Sequence, residues 1–285
     1  MEIKIIECPR DAMQGIKEFI PTEIKAAYIN AILKCDFDTV DFGSFVSPKA
    51  IPQMRDTAEL LKMLDLNSPS KLLAIIANER GAEDAVQFEE INYLGYPFSV
   101  SEEFQQRNTN SSIEESLHRV EAIQNLCIKN GKELVVYLSM GFGNPYGEHW
   151  DSDLVIKWCE RLYNDFGIKI QALSDTIGSA TAESVDYLFK ALIPALPNVE
   201  FGAHLHTRRE NAEKMVEAAY KAGCRRFDGA IKRMGGCPMA KDDLTGNMPT
   251  ELMLHWFKKN NILLPIDENA FLNAMNESNT VFYAH

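Results

Sequence analysis

The chain has 285 residues, of which 46% are hydrophobic and 25% are charged, a composition typical of a folded globular protein and unlike that of a disordered chain. Its net charge of −12 argues against a nucleic acid or an anionic membrane as a partner, because both require a basic protein surface. The six cysteines are scattered without CxxC spacing, which argues against a disulfide framework and against a structural zinc site. With no visible signal peptide and no apolar run long enough to span a bilayer, the sequence predicts a cytoplasmic protein.

Eight short apolar or β-branched runs along the chain have the composition of buried strands. They cover residues 3–7, 39–45, 72–77, 91–98, 133–140, 168–174, 199–205 and 225–231. Stretches with helical periodicity lie between them, at residues 23–34, 112–130, 152–166 and 209–223. In the first of these stretches Ile24, Tyr28 and Ala31 fall on one stripe, which predicts an amphipathic helix packed on a sheet.

The alternation of strands and helices predicts right-handed βαβ units and a parallel sheet. Eight such units close a (β/α)₈ TIM barrel, whose usual size is about 250 residues. An open doubly wound sheet is the rival fold, but the segment after the first strand lacks the GxGxxG pattern that such a sheet usually carries. We therefore predict an α/β protein with a catalytic barrel over residues 1–265 and a short helical tail over residues 266–285, packed on the barrel.

Polar residues suited to catalysis follow several of the predicted strands. In a barrel, the carboxyl ends of all strands meet at one pocket, so residues far apart in sequence are expected to lie together there. These candidates are Arg10 and Asp11 after the first strand, Asp41 and Ser44 in the second, Asp175 after the sixth, His204 and His206 at the seventh, and Cys237 and Asn247 after the eighth.

The two histidines of FGAHLHTRRENA (201–212) are two residues apart on a predicted strand, so their side chains point to the same side. With a carboxylate oxygen from Asp11 and an amide oxygen from Asn247, they predict a site for a divalent ion such as Mg²⁺ or Mn²⁺. Each feature taken alone has a simpler reading. An HxH pair is a weak signal, Arg10–Asp11 reads as a local salt bridge, Asp175 as a helix cap, and Cys237 as an inert buried thiol.

At these residues the sequence resembles the 3-hydroxy-3-methylglutaryl-CoA lyases, within the metal-dependent TIM-barrel lyases that share an Asp-Arg-Glu signature. PRDAMQ (9–14) resembles the family's PRDGLQ, and SFVSPKAIPQM (44–54) resembles SFVSPKWVPQM. Further matches follow in the same order along nearly the whole chain: NTNSSIEES (108–116), DTIG (175–178), HLH (204–206), GGCPMA (235–240) and GN with TE (246–251). The second motif and GGCP are specific to the family, whereas the others are shared by the larger group.

The resemblance implies retro-Claisen cleavage of a β-hydroxyacyl-CoA to acetyl-CoA and acetoacetate, a reaction of leucine degradation. It implies a divalent ion, Mg²⁺ or Mn²⁺, held by Asp11, His204, His206 and Asn247, and a homodimer acting on an acyl-CoA thioester. Four residues receive catalytic roles by the same resemblance. Arg10 would stabilise the enolate, Cys237 and Asp175 would transfer protons, and Asp41, where the family has Glu, would orient Arg10.

Several positions depart from the family pattern. HLHTRRE stands where the family has HCHDTYG, and RMGGCP stands where it has GLGGCP, so Thr207 replaces an aspartate and Arg233 a glycine. The new cations Arg208, Arg209, Lys232 and Arg233 could meet the phosphates of CoA or could be exposed surface charges. Two alternatives therefore stay open, namely an acetyl-CoA-dependent synthase that condenses a 2-oxo acid and a non-catalytic barrel that binds a CoA ester.

Overall fold

The computed structural model of the protein describes residues 2–235 and 245–283. Within them, eight strands form one closed parallel barrel in which each strand pairs with its neighbours in sequence and β8 pairs with β1. The strands are β1 Lys4–Glu7, β2 Thr39–Ser44, β3 Lys71–Ile75, β4 Ile91–Ser99, β5 Glu133–Ser139, β6 Ile170–Asp175, β7 Glu200–Leu205 and β8 Arg226–Gly229. The prediction of a (β/α)₈ barrel is confirmed.

Helices surround the barrel. They are α1 Pro9–Gln14, α2 Thr22–Leu33, α3 Thr57–Lys62, α4 Glu79–Ala85, α5 Glu102–Thr109, α6 Ile113–Lys129, α7 Ser152–Phe166, α8 Ala182–Ala195, α9 Ala212–Lys221, α10 Thr250–Lys259 and α11 Glu268–Phe282. In the part of the chain that the structure describes, none is both long and apolar enough to cross a membrane.

Local chemistry fixes where the helices begin and end. Ser112 and Glu115 form a reciprocal capping box at the start of α6, and Gly167 ends α7 in the left-handed conformation with φ 68°. The predicted helix over 209–223 is shorter in the structure, because Arg209–Asn211 forms a 3₁₀ turn and α9 begins only at Ala212. The turn carries the chain from the end of β7 into the helix.

Apolar side chains pack in two layers. The larger layer lies between the strands and the helices and runs around the whole barrel. A smaller cluster fills the inside of the barrel and consists of Leu73, Ile75, Tyr93, Val135, Tyr137, Ile170 and Ala172. The barrel is therefore a packed core and not a channel, as expected for eight strands.

The last helix, α11, packs against α2. The Phe271 ring lies 6.1 Å from the Phe37 ring, centroid to centroid, and the Phe282 ring lies 5.8 Å from that of Tyr28. Near its C-terminal end, α11 also contacts the turn after β8, where Lys232 Nζ donates to Asn279 Oδ1 over 2.6 Å. The helix therefore contacts both the chain's first long helix and the segment that precedes residues 236–244.

Candidate active site

Arg10 and Asp11 lie in the short helix α1, which begins at Pro9 directly after β1. The Arg10 guanidinium is buried and holds the Asp41 carboxylate with both nitrogens of one edge, Nε–Oδ2 at 3.0 Å and Nη2–Oδ2 at 2.5 Å. Burial alone would lower the pKa of Arg10, but Asp41 and Asp11 raise it above its ordinary value. Burial also raises the pKa of Asp41 to about 6, against the opposing effect of Arg10. The two groups form a buried ion pair at neutral pH.

Asp11 is held from three sides. Its Oδ1 accepts hydrogen bonds from Gln14 Nε2 at 2.6 Å and Arg10 Nη1 at 3.1 Å, and its Oδ2 accepts one from Asn247 Nδ2 at 2.6 Å. Burial raises the pKa of Asp11, but Arg10 and His204 outweigh it, so the pKa lies below its usual range. Asp11 is therefore an ionised carboxylate beside the two histidines.

His204 lies near the end of strand β7 and His206 directly follows the strand, with their ring centroids 5.5 Å apart. His204 Nδ1 lies 3.0 Å from Oδ2 of Asp228, its register partner on β8. A carboxylate accepts only, so Nδ1 carries the proton and Nε2 keeps a lone pair. The Nδ1 atom of His206 is buried and has no hydrogen-bond partner among the described residues. An unpaired buried nitrogen of this kind fits a metal ligand.

The donor atoms of Asp11, His204 and His206 all lie within 4.8 Å of one another. The amide of Asn247 is next to them, since His206 and Asn247 form an isolated antiparallel bridge. Two imidazoles with carboxylate and amide oxygens suit a divalent ion with an open coordination position. The structure thus brings together the four residues predicted as ligands. Asp11 and the two histidines fit such an ion, whereas the Asn247 amide directs its Nδ2 to Asp11 and to the Met234 carbonyl oxygen. Asp228, whose role follows from the barrel register, was not predicted from the sequence.

Asp175 is buried at the end of β6, but its carboxylate is directed to the loop before α8. Its two oxygens accept hydrogen bonds from the backbone N–H of Ser179 and of Ala180, each over 2.9 Å. Burial raises its pKa, and these loop donors oppose the shift. The side chain therefore shapes this loop, whatever part it takes in the reaction.

Cys237 lies outside the described residues, in the segment 236–244. The chain approaches that segment beside the metal-site residues. A Cβ atom on Gly235 would come within 2.6 Å of the Asp11 carbonyl oxygen, and Gly235 has φ 87°, so a side chain would not fit there.

Two of the four cations that depart from the family pattern are engaged within the protein. Arg209 pairs with Glu251 at 3.2 Å, and Lys232 donates a hydrogen bond to Asn279.

A cavity of about 140 Å³ opens next to the cluster and is lined by Arg10, Asp11, His204 and His206 on one side. An apolar wall of the cavity comes from the segments after β2 and β3 and from α5. That wall is formed by Val46, Ala50, Ile51, Ala77 and Phe104. A ligand bound here would have polar groups at the cluster and an apolar part against this wall.

Comparisons with known proteins identify the family. The model of the HMGL-like family matches residues 2–277. The hydroxymethylglutaryl-CoA lyase YngG of Bacillus subtilis is 32% identical over 93% of this chain and 88% of its own length. The 3-hydroxy-3-isohexenylglutaryl-CoA/hydroxy-methylglutaryl-CoA lyase of Pseudomonas aeruginosa is 29% identical over 96% of this chain and 90% of its own.

A solved structure agrees with this. The HMG-CoA lyase of Acinetobacter baumannii, in complex with coenzyme A and 3-methylmalate, matches with a TM-score of 0.89 and 27% identity, covering 98% of this chain and 91% of the other. The resemblance seen in the sequence motifs is confirmed, and the chain belongs to the HMGL-like family.

Proposed function

We propose that the protein is a carbon–carbon lyase that cleaves 3-hydroxy-3-methylglutaryl-CoA to acetyl-CoA and acetoacetate. The observation that carries this proposal is the convergence of Asp11, His204 and His206 on one point of a cavity that also holds a buried, charged Arg10. Family membership supports it, since curated relatives that match nearly the full length are HMG-CoA lyases.

Asp11, His204, His206 and Asn247 would hold the divalent ion, Mg²⁺ or Mn²⁺. Such an ion, when bound, supplies Lewis-acid polarisation of the substrate's hydroxyl and carbonyl oxygens. Asp228 keeps the His204 ring in the tautomer whose Nε2 accepts, and Gln14 fixes one oxygen of Asp11. Hydrogen bonds within the protein therefore orient these metal-binding side chains before the ion binds.

Cleavage requires a base to take the proton of the tertiary hydroxyl as the carbon–carbon bond breaks. The bonding electrons then form the acetyl-CoA enolate, while the former carbinol carbon becomes the ketone of acetoacetate. Arg10, held in place by Asp41, is suited to the negative charge of the enolate because it stays protonated. Cys237 is the proposed donor that protonates the enolate carbon. The family resemblance makes Asp175 the second acid–base candidate, although backbone N–H groups of the loop before α8 engage both its oxygens.

A substrate panel tests the proposal. With Mg²⁺, 3-hydroxy-3-methylglutaryl-CoA should give equal amounts of acetoacetate and acetyl-CoA, and EDTA should stop the reaction. Consumption of acetyl-CoA with a 2-oxo acid, without acetoacetate, would instead indicate the condensing synthase. Binding of the CoA ester without turnover would indicate a non-catalytic barrel.

We also propose a cytoplasmic homodimer acting in leucine degradation, with residues 1–265 as the catalytic barrel and 266–285 as an appended tail. The resemblance of the sequence to the lyase family supports the dimer and the pathway. The packing of Phe271 in α11 against Phe37 supports the tail as an addition to the outside of the barrel.

A second candidate substrate has a longer apolar group at C3. Ala50 lies exposed on the apolar wall of the cavity, where the lyase motif SFVSPKW has tryptophan. A methyl group in place of an indole leaves room beside Val46 and Ile51 for an alkyl chain. The relative from P. aeruginosa, named for both a methyl and an isohexenyl substrate, supports this candidate.

Replacing Ala50 with tryptophan tests the second candidate. If a longer 3-alkyl group lies against this wall, Ala50→Trp should lower kcat/KM for a 3-isohexenyl substrate by at least about 10-fold, while the value for the 3-methyl substrate stays within about 3-fold. Ala50→Ser, of similar size, is the matched control. Equal losses for both substrates would show that the wall contacts CoA and not the 3-substituent.

A further inference from the structure

An arginine lies inside the barrel beneath the proposed metal site. Arg226 of β8 has none of its surface exposed, and its chain crosses Gly202 of β7, its register partner. A Cβ atom on Gly202 would lie 3.1 Å from Arg226 Cδ, so the glycine leaves room for the long side chain. The guanidinium carbon lies 5.6 Å from the centre of the Tyr93 ring. The Arg226 side chain therefore lies in the barrel interior, between Gly202 and the Tyr93 ring.

The direct hydrogen bonds of Arg226 use only part of its capacity. Nη1 donates to Glu200 Oε1 over 3.1 Å, and Glu200 also pairs with Lys4 of β1 at 2.5 Å. Among the described residues, Nε and Nη2 of Arg226 have no partner. Burial lowers the pKa of Arg226, but Asp228, Tyr137 and Glu200 outweigh it, so the group stays a cation with unmet donors.

Other buried polar atoms that lack a hydrogen-bond partner among the described residues lie near Arg226. Asp228, two residues further on the same strand, points to the same side as Arg226 and bonds His204 through Oδ2, while its Oδ1 has no partner among the described residues. The buried hydroxyl of Tyr137 has none either, and the Tyr137 ring stands edge-on to His204 at 5.2 Å. A small number of ordered waters in this interior would satisfy the donors of Arg226, the acceptor Oδ1 of Asp228 and the hydroxyl of Tyr137.

We propose that Arg226 is a positioning residue for the metal site: through ordered water it bridges to Oδ1 of Asp228 and the hydroxyl of Tyr137, and so holds Asp228 on Nδ1 of His204. Asp228 then has both oxygens engaged, one by the histidine and one by the bridge. Without the bridge, the carboxylate is free to turn, and the His204 ring loses the contact that directs Nε2 to the ion. This inference rests on the proposed function only in that the Asp11–His204–His206 cluster binds a divalent ion.

Mn²⁺ binding to the purified protein, measured by calorimetry or electron paramagnetic resonance, tests the inference without any turnover. Arg226→Met should weaken Mn²⁺ binding by about 10-fold, and Arg226→Lys, which keeps a donor cation, should recover most of it. Asp228→Asn should weaken Mn²⁺ binding similarly. The double variant Arg226→Met/Asp228→Asn should bind Mn²⁺ as tightly as the single variant of lower affinity, because both residues act through one contact.

Val135→Ala is the matched control, since Val135 lies in the same interior and is apolar. It should lower the melting temperature and leave Mn²⁺ affinity unchanged, as a purely structural change would. Unchanged Mn²⁺ affinity in folded Arg226→Met, or equal loss in Val135→Ala, would overturn the positioning role.

A crystal structure of the unmodified protein decides the water bridge, even if Arg226→Met does not fold. We expect ordered water within hydrogen-bond distance of both Asp228 Oδ1 and the free edge of Arg226. A dry interior, or a direct Arg226–Asp228 contact, would overturn the bridge. Should the protein bind Mn²⁺ but cleave no acyl-CoA, the proposed function fails while these results still stand.

Discussion

At the scale of single residues, the site depends on the two ring nitrogens of His204 having different roles. Its Nδ1 faces Asp228 and its Nε2 is left for a ligand, so one ring connects the barrel interior to the cavity. The HxH spacing in the sequence predicted that both histidines point one way. It could not predict Asp228, because that contact depends on the register between β7 and β8, which sequence periodicity does not encode.

His206 is the residue whose substitution tests the ion site most directly. His206→Ala should weaken Mn²⁺ binding by more than about 10-fold and lower lyase activity with it, because a ligand nitrogen is lost. His118→Ala, on the exposed face of α6, should change neither. Full Mn²⁺ affinity in His206→Ala, measured by calorimetry, would show that the assignment of His206 as a ligand is wrong.

At the scale of elements, long amphipathic helices were predictable and short ones were not. The helix predicted over 152–166 is α7 with the same bounds, because its apolar stripe repeats over four turns. Helix α1 has six residues and so shows no period, yet it places Arg10 and Asp11. Their position directly after the first predicted strand, and not helical periodicity, predicted that those residues belong to the site.

The end of β1 holds a further buried carboxyl group that periodicity could not reveal. Glu7 accepts hydrogen bonds from Thr250 Oγ1 at 2.6 Å and from the Ile231 backbone N–H at 2.8 Å. It thereby ties β1 to the turn after β8 and to the start of α10. Burial raises its pKa from 4.5 to about 8, against the effect of these donors.

Glu7→Gln should change how stability depends on pH. Between pH 4.5 and about 8 the folded protein keeps a proton on Glu7 that the unfolded chain releases, so its free energy of unfolding falls as the pH rises. The glutamine variant lacks this contribution, so it should lose less stability over the same window. Urea unfolding at about pH 5 and about pH 8.5 measures the difference. Glu2→Gln, at an exposed position, is the control, and equal slopes for Glu7→Gln and the unmodified protein would contradict the prediction.

At the scale of the whole molecule, the alternation of eight strands with helices was sufficient to predict the barrel. The sequence also placed a helical tail at the end of the chain, which is α11. What α11 covers was not predictable, because its contacts with Tyr28 and Phe37 join residues more than two hundred positions apart. Such contacts follow from the closed fold and have no local signature.

Phe271→Ala tests whether the tail stabilises the barrel without serving the site. Phe271 is 9% exposed and packs on Phe37, which precedes β2 at the end of the barrel opposite to the cavity. We expect the free energy of unfolding to fall by about 3 kcal/mol, with Mn²⁺ affinity unchanged. Leu272→Ala, at a neighbouring position that is 62% exposed, should cost little stability. A large loss of Mn²⁺ affinity in Phe271→Ala would show that the tail supports the site.

The contact between Lys232 and Asn279 has a practical consequence for anyone who produces this protein. Lys232 stands four residues before the segment 236–244, and its ammonium group also lies 5.4 Å from the centre of the Tyr283 ring. We therefore expect an affinity tag or fusion partner at the C-terminus to disturb the contacts of Lys232 and, with them, the turn after β8. Purification handles belong at the other terminus, or should be cleaved off before rates are compared.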